Sequence, residues 1–311
     1  MSSNETAILN WYMTNVCNFD CSYCFGHAKG EKAEALPVDK VISCLKATGR
    51  PWRVNLVGGE VMLIPDFVST CVKLVEAGMR ISVETNLSIS SKVAEFADKL
   101  DPAKVECIHI STHIIEREKR RSVDRMLADL DLLRRKGFSI YVNYVLHPSL
   151  LPRFLADNAF FSSHGVHLKP APYVGWYEGR LYPEAYTTKE RRVILEGNPE
   201  AGSYAAFNAR GLMCRAGMDF LILDSTGIFR RCHGVEKILG TVSEGLTLYE
   251  NAIACPAQAC PCWGHRFLVD REAAERIAKR FRTQSFKAAV RDNPVARPVY
   301  RWLCKIKDAV I

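Results

Sequence analysis

The chain has 311 residues, 48% of them hydrophobic, with 12 cysteines and a formal net charge of +8. That length and apolar content fit one large domain, or one domain with a smaller companion, and exclude the short disulfide-stapled scaffolds that otherwise carry so many cysteines. No apolar run reaches membrane-spanning length, and the polar opening at 1–6 is no secretion signal, so the expectation is a reducing cytoplasm with most thiols as metal ligands.

Residues 7–13 form an apolar run that reads as a short buried strand. It leads into Cys17, Cys21 and Cys24, spaced C-x3-C-x2-C on the loop leaving that strand. Three thiolates on one loop can grip three irons of a cubane, because soft sulfur suits iron, and they leave the fourth iron open. The same cysteines can also be read as half of a zinc site or as ordinary buried thiols. Against zinc, no Cys or His pair follows at zinc-finger distance, and the ending Tyr23-Cys24-Phe25 suits a packed, solvent-shielded cluster.

This stretch resembles the radical S-adenosylmethionine (radical SAM) superfamily, whose signature is C-x3-C-x2-C with an aromatic residue before the last cysteine, the place of Tyr23. The resemblance implies that Cys17, Cys21 and Cys24 hold a [4Fe–4S] cluster whose unique iron chelates the amino and carboxylate groups of S-adenosylmethionine. Reductive cleavage would give methionine and a 5′-deoxyadenosyl radical that takes a hydrogen atom from a substrate. An external electron donor of the flavodoxin or ferredoxin type is expected as a partner.

After a polar loop at 27–35, a helix is expected from Pro37, with Val38, Val41, Ile42 and Leu45 at helical spacing. A strand at 52–57 then runs into Gly58-Gly59-Glu60. Paired glycines allow close backbone approach or positive φ, and the Glu60 carboxylate could orient an amine. Alone, such a tripeptide is usually a turn. After a strand and a few dozen residues beyond the cysteine loop, it is similar to the superfamily's GGE motif, which contacts the amino group of S-adenosylmethionine. Val61 stands where the family usually has proline.

The alternation continues with helices at 65–76, 90–100, 122–136 and 152–161, and strands at 80–84, 105–111, 138–146 and 166–169. Six strands alternating with helices imply a parallel α/β sheet, and the pattern alone fits an open sheet or a closed barrel. The resemblance implies a partial (β/α)6 barrel. In either case ligands lie at the C-terminal ends of the strands, where the cysteine loop, Gly58-Gly59-Glu60, Thr85-Asn86, Ser111 and Asn143 all fall. By the resemblance, Ser111 and Asn143 contact the carboxylate and ribose of the cofactor. Asn86 suits a cofactor contact and a turn equally, and His113 reads as structural as readily as pocket-facing.

From 170 to 209 the pattern gives way to Gly, Pro, Tyr and charged residues, read as a bridge with a substrate-facing loop at 173–180. A hairpin follows, with strands at 220–223 and 228–231 and a Gly-containing turn, and its geometry brings Cys214 near Cys232. Cys255, Cys260 and Cys262 lie downstream. Five cysteines beside a hairpin resemble the SPASM or twitch auxiliary-cluster subdomain of radical SAM enzymes, in a shortened form with one further [4Fe–4S] cluster. A zinc ribbon would use four such thiolates too. Which four bind is open, and a spare among Cys255, Cys260 and Cys262 could donate a hydrogen atom to a substrate radical. Cys44, Cys71 and Cys107 read as core, and Cys304 lies in the basic tail.

The expected division is a core at 1–185, an auxiliary subdomain at 186–265 and a basic helical tail at 266–311. The expected substrate is a small molecule or sugar, with a ribosomally made peptide as the alternative. The basic tail leaves a nucleic-acid-binding module as a second class, but no nucleic-acid motif accompanies it.

Overall fold

The computed structural model describes residues 6–24, 36–204, 206–260 and 264–278. Phe25, the polar loop, Cys262, Cys304 and the tail beyond 278 lie outside the described residues. Strand β1 (Ala7–Thr14) is followed by α1 (Val38–Ala47), β2 (Trp52–Gly58), α2 (Phe67–Glu76), β3 (Arg80–Thr85) and α3 (Ser90–Lys99). The series goes on through β4 (Val105–Ser111), α4 (Ile114–Lys119), α5 (Val123–Arg135), β5 (Ile140–Leu146), α6 (Phe154–Ser163) and β6 (Leu168–Pro172). These six strands pair in parallel and in chain order. Right-handed crossovers between successive neighbours place every helix on one face of the sheet. Ala7, Leu9, Trp11 and Met13 of β1 are buried in the main core with the apolar stripes of the helices. The alternate residues, such as Asn10 and Tyr12, therefore point to the opposite, inner face.

Pro170 and Pro172 sit inside β6, which the sequence reading placed two residues earlier. An edge strand tolerates them, because its outer N–H groups need no ladder partner, and β6 is the sheet's edge. The expected bridge after it is more ordered than its composition suggests. It holds a small hairpin, β7 (Gly175–Tyr177) with β8 (Arg180–Tyr182), and a helix α7 (Thr188–Gly197). Helix α7 begins at a capping box in which Thr187 and Glu190 satisfy each other's backbone N–H.

Past β9 (Met213–Cys214), the expected hairpin forms as β10 (Phe220–Leu223) and β11 (Ile228–Cys232), continued by β12 (Val235–Thr241) and β13 (Gly245–Leu246). It does not stand apart: β10 pairs in parallel with β1, so one ten-stranded sheet runs from β13 to β6. Arg50 ties the same junction, donating to the Met218 carbonyl at 2.9 Å and to Asp219 at 2.7 Å. Strand β14 (Ile253–Ala254) pairs with β9, and α8 (Arg271–Ala278) ends the described chain. No helix among the described residues is long and apolar enough to cross a membrane.

Candidate functional site

The cysteine loop is clamped to the sheet from below by glycine. Gly59 N–H donates to the Thr14 carbonyl at 2.7 Å, and Glu60 N–H donates to the Val16 carbonyl at 2.8 Å. A Cβ on Gly59 would lie 2.1 Å from the Val16 oxygen, and one on Gly58, at φ +157°, 2.4 Å from the Thr14 oxygen. Only glycine permits this approach.

Glu60 works on the same clamp. It is fully buried. One carboxylate oxygen accepts from Met62 N–H at 3.0 Å and from the Thr85 hydroxyl at 2.7 Å. The other accepts from Asn86 N–H at 2.5 Å. Burial raises its pKa, and those three donors and the nearby Arg117 guanidinium oppose the rise. These three bonds hold β3's end against the loop, and they leave acceptor capacity on the carboxylate for the expected contact with an amine. Asn86 belongs to the same joint, with its amide donating to Asn18 at 2.9 Å and lying 3.8 Å from the Cys17 sulfur.

The far side of the loop is held by α4, which the sequence reading passed over. Six residues with four charges offer little helical periodicity. Yet Glu116 and Arg117 within it are buried. Arg117 donates to the Thr112 carbonyl at 2.8 Å and also to the Asn86 carbonyl. Glu116 accepts from Asp20 N–H at 3.0 Å, Lys119 at 2.7 Å and Arg120 at 2.5 Å. Burial by itself would raise its pKa, but Lys119, the Asp20 N–H and Arg120 hold it down at about 2. His113, in the left-handed region at φ +44°, places Nδ1 3.2 Å from the Cys21 sulfur and 3.2 Å from the Tyr23 hydroxyl. Burial, followed by Arg117, lowers its pKa to about 4, so the ring is neutral. Tyr23 stacks between His113 and His147, at centroid distances of 6.0 and 5.6 Å.

The three thiols lie within electrostatic reach of one another. Burial comes first in raising Cys17 and Cys21, the latter to about 12, and the neighbouring thiols add to it. Among the described residues no three Cys, His, Asp or Glu side chains close on a single metal ion. Ser111, the last residue of β4, is the register partner of Asn143 in the middle of β5. Asn143 Oδ1 is one of several buried side-chain atoms without a hydrogen-bond partner among the described residues, an acceptor open to a water or a ligand.

The second thiol set lies on the inner face of β1 and β10. Cys214, Cys232, Cys255 and Cys260 share one apolar cluster with Phe207, Phe220 and Ile222 and with Ile8 and Tyr12 of β1. Cys214 and Cys232 both feel Cys255, and burial raises both thiols. Cys260 is fixed by a two-way backbone pairing with Phe207. None of the ten described cysteines forms a disulfide. Cys44 and Cys71 are core as expected, whereas Cys107 is half-buried: its register with Ser82 puts it on the inner face.

Residues 11–152 match the family model described as the Radical SAM superfamily. Among curated proteins, the chain is 32% identical over 147 residues to a probable GTP 3′,8-cyclase of Metallosphaera sedula, covering 43% of this chain and 45% of that protein. It is 27% identical over 173 residues to an S-adenosylmethionine-dependent nucleotide dehydratase of Fibrobacter sp., covering 49% and 51%. The chain thus spans about half the length of these relatives. Among solved structures, anSMEcpe with bound AdoMet superposes with a TM-score of 0.61 at 13% identity, covering 96% of this chain and all of that one. Streptococcus suis SuiB bound to S-adenosylmethionine gives 0.54 at 16%, covering 74% and 60%. At such identities the likeness is one of fold.

Proposed function

We propose that this chain is a radical SAM enzyme with an auxiliary iron–sulfur cluster, acting on a small molecule or sugar. The observation that carries the reading is the Cys17–Cys21–Cys24 loop at the C-terminal end of β1, clamped through Gly59 and Glu60 to the end of β2. When bound, the [4Fe–4S] cluster and S-adenosylmethionine would supply one-electron reductive cleavage and a hydrogen-abstracting radical. The protein's own part is positioning and exclusion of water. Cys17, Cys21 and Cys24 would hold three irons. Gly58, Gly59, Glu60 and Asn86 fix the loop that presents them, and Ser111 and Asn143 face the place for the cofactor. Tyr23, braced by His113 and His147, shields one side.

Cys214, Cys232, Cys255 and Cys260 are the proposed auxiliary ligands, because they share one apolar pocket on the inner face. Cys262, outside the described residues, remains a candidate ligand or the spare thiol. The auxiliary cluster would accept an electron from a substrate radical, giving a net oxidation. A redox-neutral epimerisation with a cysteine hydrogen donor is the competing outcome. Curated relatives named for nucleotide chemistry favour a small substrate. A peptide substrate is favoured by solved neighbours of like fold bound to peptides, SuiB with its precursor peptide SuiA and anSMEcpe with the Kp18Cys peptide. The test is anaerobic reconstitution with iron and sulfide, followed by reductant and S-adenosylmethionine. Formation of 5′-deoxyadenosine and methionine supports the reading; a colourless zinc protein that makes neither overturns it.

A further inference from the structure

The lower end of the sheet's inner face holds a guanidinium that the protein does not tie down. Ile8, Arg53 and Arg80 are register partners at the N-terminal ends of β1, β2 and β3. Arg53 faces inward, because Val54 and Leu56 beside it on β2 are buried toward the helices. With Thr6 and Glu106, these residues line a cavity of about 230 Å³. Its two arginines are held very differently. Arg80 grips Glu106 through Nε at 2.9 Å and Nη2 at 2.8 Å, and donates to the Ala103 carbonyl at 3.2 Å. Arg53 lies 4.0 Å from Glu106, and its Nε, shut off from solvent, has no hydrogen-bond partner among the described residues. The fully buried arginines elsewhere each spend Nε on a backbone carbonyl: Arg117 on Thr112, Arg191 on Tyr186 and Arg231 on Ala216. Besides Glu106, the charges within reach of Arg53 are the like charges of Arg266 and Arg80.

One inward position further along β2, Asn55 is buried and donates to Asn10 Oδ1 at 2.8 Å, while its own Oδ1 has no partner among the described residues. Asn10, Asn55 and Ser82 are register partners, so a row of buried polar side chains crosses the face directly above the cavity. Burying polar atoms without partners costs free energy, and a water can answer one such atom at a time. A weakly held cation, a cavity and an open acceptor on successive inward positions fit a single ligand with an anionic end and a hydrogen-bonding body. The planar fork of a guanidinium matches the oxygens of a phosphate. At about 30 Å³ per water, the cavity has room for a phosphate group with waters around it. Roughly 13 Å of strand separates Arg53 from Val57, the last inward position before the glycine turn. We propose that this cavity is a substrate phosphate site anchored by Arg53, so that the substrate is a phosphorylated small molecule whose body runs past Asn55 toward the cysteine loop. This deepens the functional reading above and rests on it for the meaning of the inner face, though not for the binding itself.

The experiment is equilibrium dialysis on the full chain, with and without reconstitution and S-adenosylmethionine. The probes are GTP against guanosine and glucose-6-phosphate against glucose, pairs that separate a nucleotide from a sugar phosphate as the source. At least one phosphorylated probe binds roughly tenfold to a hundredfold more tightly than its unphosphorylated partner, the worth of a charge-assisted hydrogen bond. Arg53→Gln removes that preference, and Arg53→Lys, which keeps the charge without the fork, retains part of it. Arg135→Gln, at an exposed helix position paired with Asp131 at 2.9 Å, leaves the preference intact and so controls for the general positive charge of the chain. Equal binding within both pairs, no binding of any probe, a preference that survives in Arg53→Gln, or one that falls equally in Arg135→Gln overturns the proposal. Loss of iron or of the folded state in both Arg53→Gln and Arg53→Lys also overturns it, since the residue would then be structural. If the wild-type chain takes up neither iron nor cofactor, the radical SAM reading fails, while dialysis of the same probes still decides the Arg53 proposal.

Discussion

The two sets of thiols live in opposite surroundings. The N-terminal loop is wrapped in charge and hydrogen bonds: Glu60, Arg117, Glu116, Asn86 and His113 all touch it or its supports. The C-terminal set sits among Phe207, Phe220, Ile222 and Leu268, with backbone pairing as its chief scaffold and one buried charge, Arg231, within electrostatic reach of Cys214 and Cys232. A loop that must leave one iron open gains nothing from being filled by side chains, so it is held from outside by buried polar contacts, which fix geometry strongly when fully satisfied. A cluster with four protein ligands needs no such opening, and apolar walls suffice to exclude solvent from it. On the proposed reading, the contrast is between a first site built to be approached and a second built to be closed.

Removing one thiol from each set is the harshest test of that division. Cys21→Ala should abolish 5′-deoxyadenosine formation and lose the first set's iron. Cys255→Ala should lose a similar amount of iron while cofactor cleavage continues. Iron assays with product chromatography check both, and equal loss of cleavage in the two variants would erase the distinction.

Glycine substitutions probe the same contrast less severely. A Cβ at Gly59 meets the Val16 backbone oxygen at 2.1 Å, and one at Gly264 meets the Cys260 sulfur at the same distance. Backbone cannot swing aside as a side chain can. Gly59→Ala should therefore destabilise the chain by about 1–3 kcal/mol, the usual range for overpacking, and deplete the first cluster. Gly264→Ala should be milder and deplete only the second. Urea unfolding and iron counts measure the two effects.

Glu60→Gln keeps one acceptor but turns an NH2 group toward the N–H of Asn86 or the donors on the other oxygen. A buried donor left facing a donor costs about 1–3 kcal/mol. The expected result is weaker iron retention together with weaker cofactor binding. Weakened cofactor binding at full iron would assign Glu60 to the cofactor contact alone.

The smallest effect is one of pH. The carboxyl of Glu84 has a folded pKa of about 7, above its ordinary value of 4.5. Ionisation is therefore easier in the unfolded chain, so stability falls as pH rises from the ordinary value through about 7, and the loss is complete above that. Glu84→Gln should flatten this part of the stability profile and be the more stable protein at pH 8. Superimposable urea midpoints for variant and wild type from pH 5 to 8 would show that Glu84 titrates normally.

Much of this arrangement is legible in the sequence. Apolar alternation and the glycine turns locate β1 to β5 closely, because strands with a buried helix-facing side must show period-two patterning. The thiol spacing marks the first loop. The second set shows as a count of cysteines beside a hairpin, but the pairing of β10 with β1 is invisible, since no local signal encodes a partner some 200 residues away. The supports of the loop are equally hidden. Glu116 and Arg117 look like surface charge on a short helix, and only the fold turns them inward. The capping box at Thr187 and Glu190 was there to be read and would have placed α7.

The account's central claim is that one thiol set holds an open cluster and the other a closed one. Electron paramagnetic resonance of the reduced, anaerobically reconstituted chain, recorded with and without S-adenosylmethionine, tests it most directly. The account predicts about eight irons per chain, four for each cubane, and two overlapping signals. Only one signal should shift on adding the cofactor, and that one should be missing in Cys21→Ala. A spectrum in which both signals shift, or neither does, would contradict the claim.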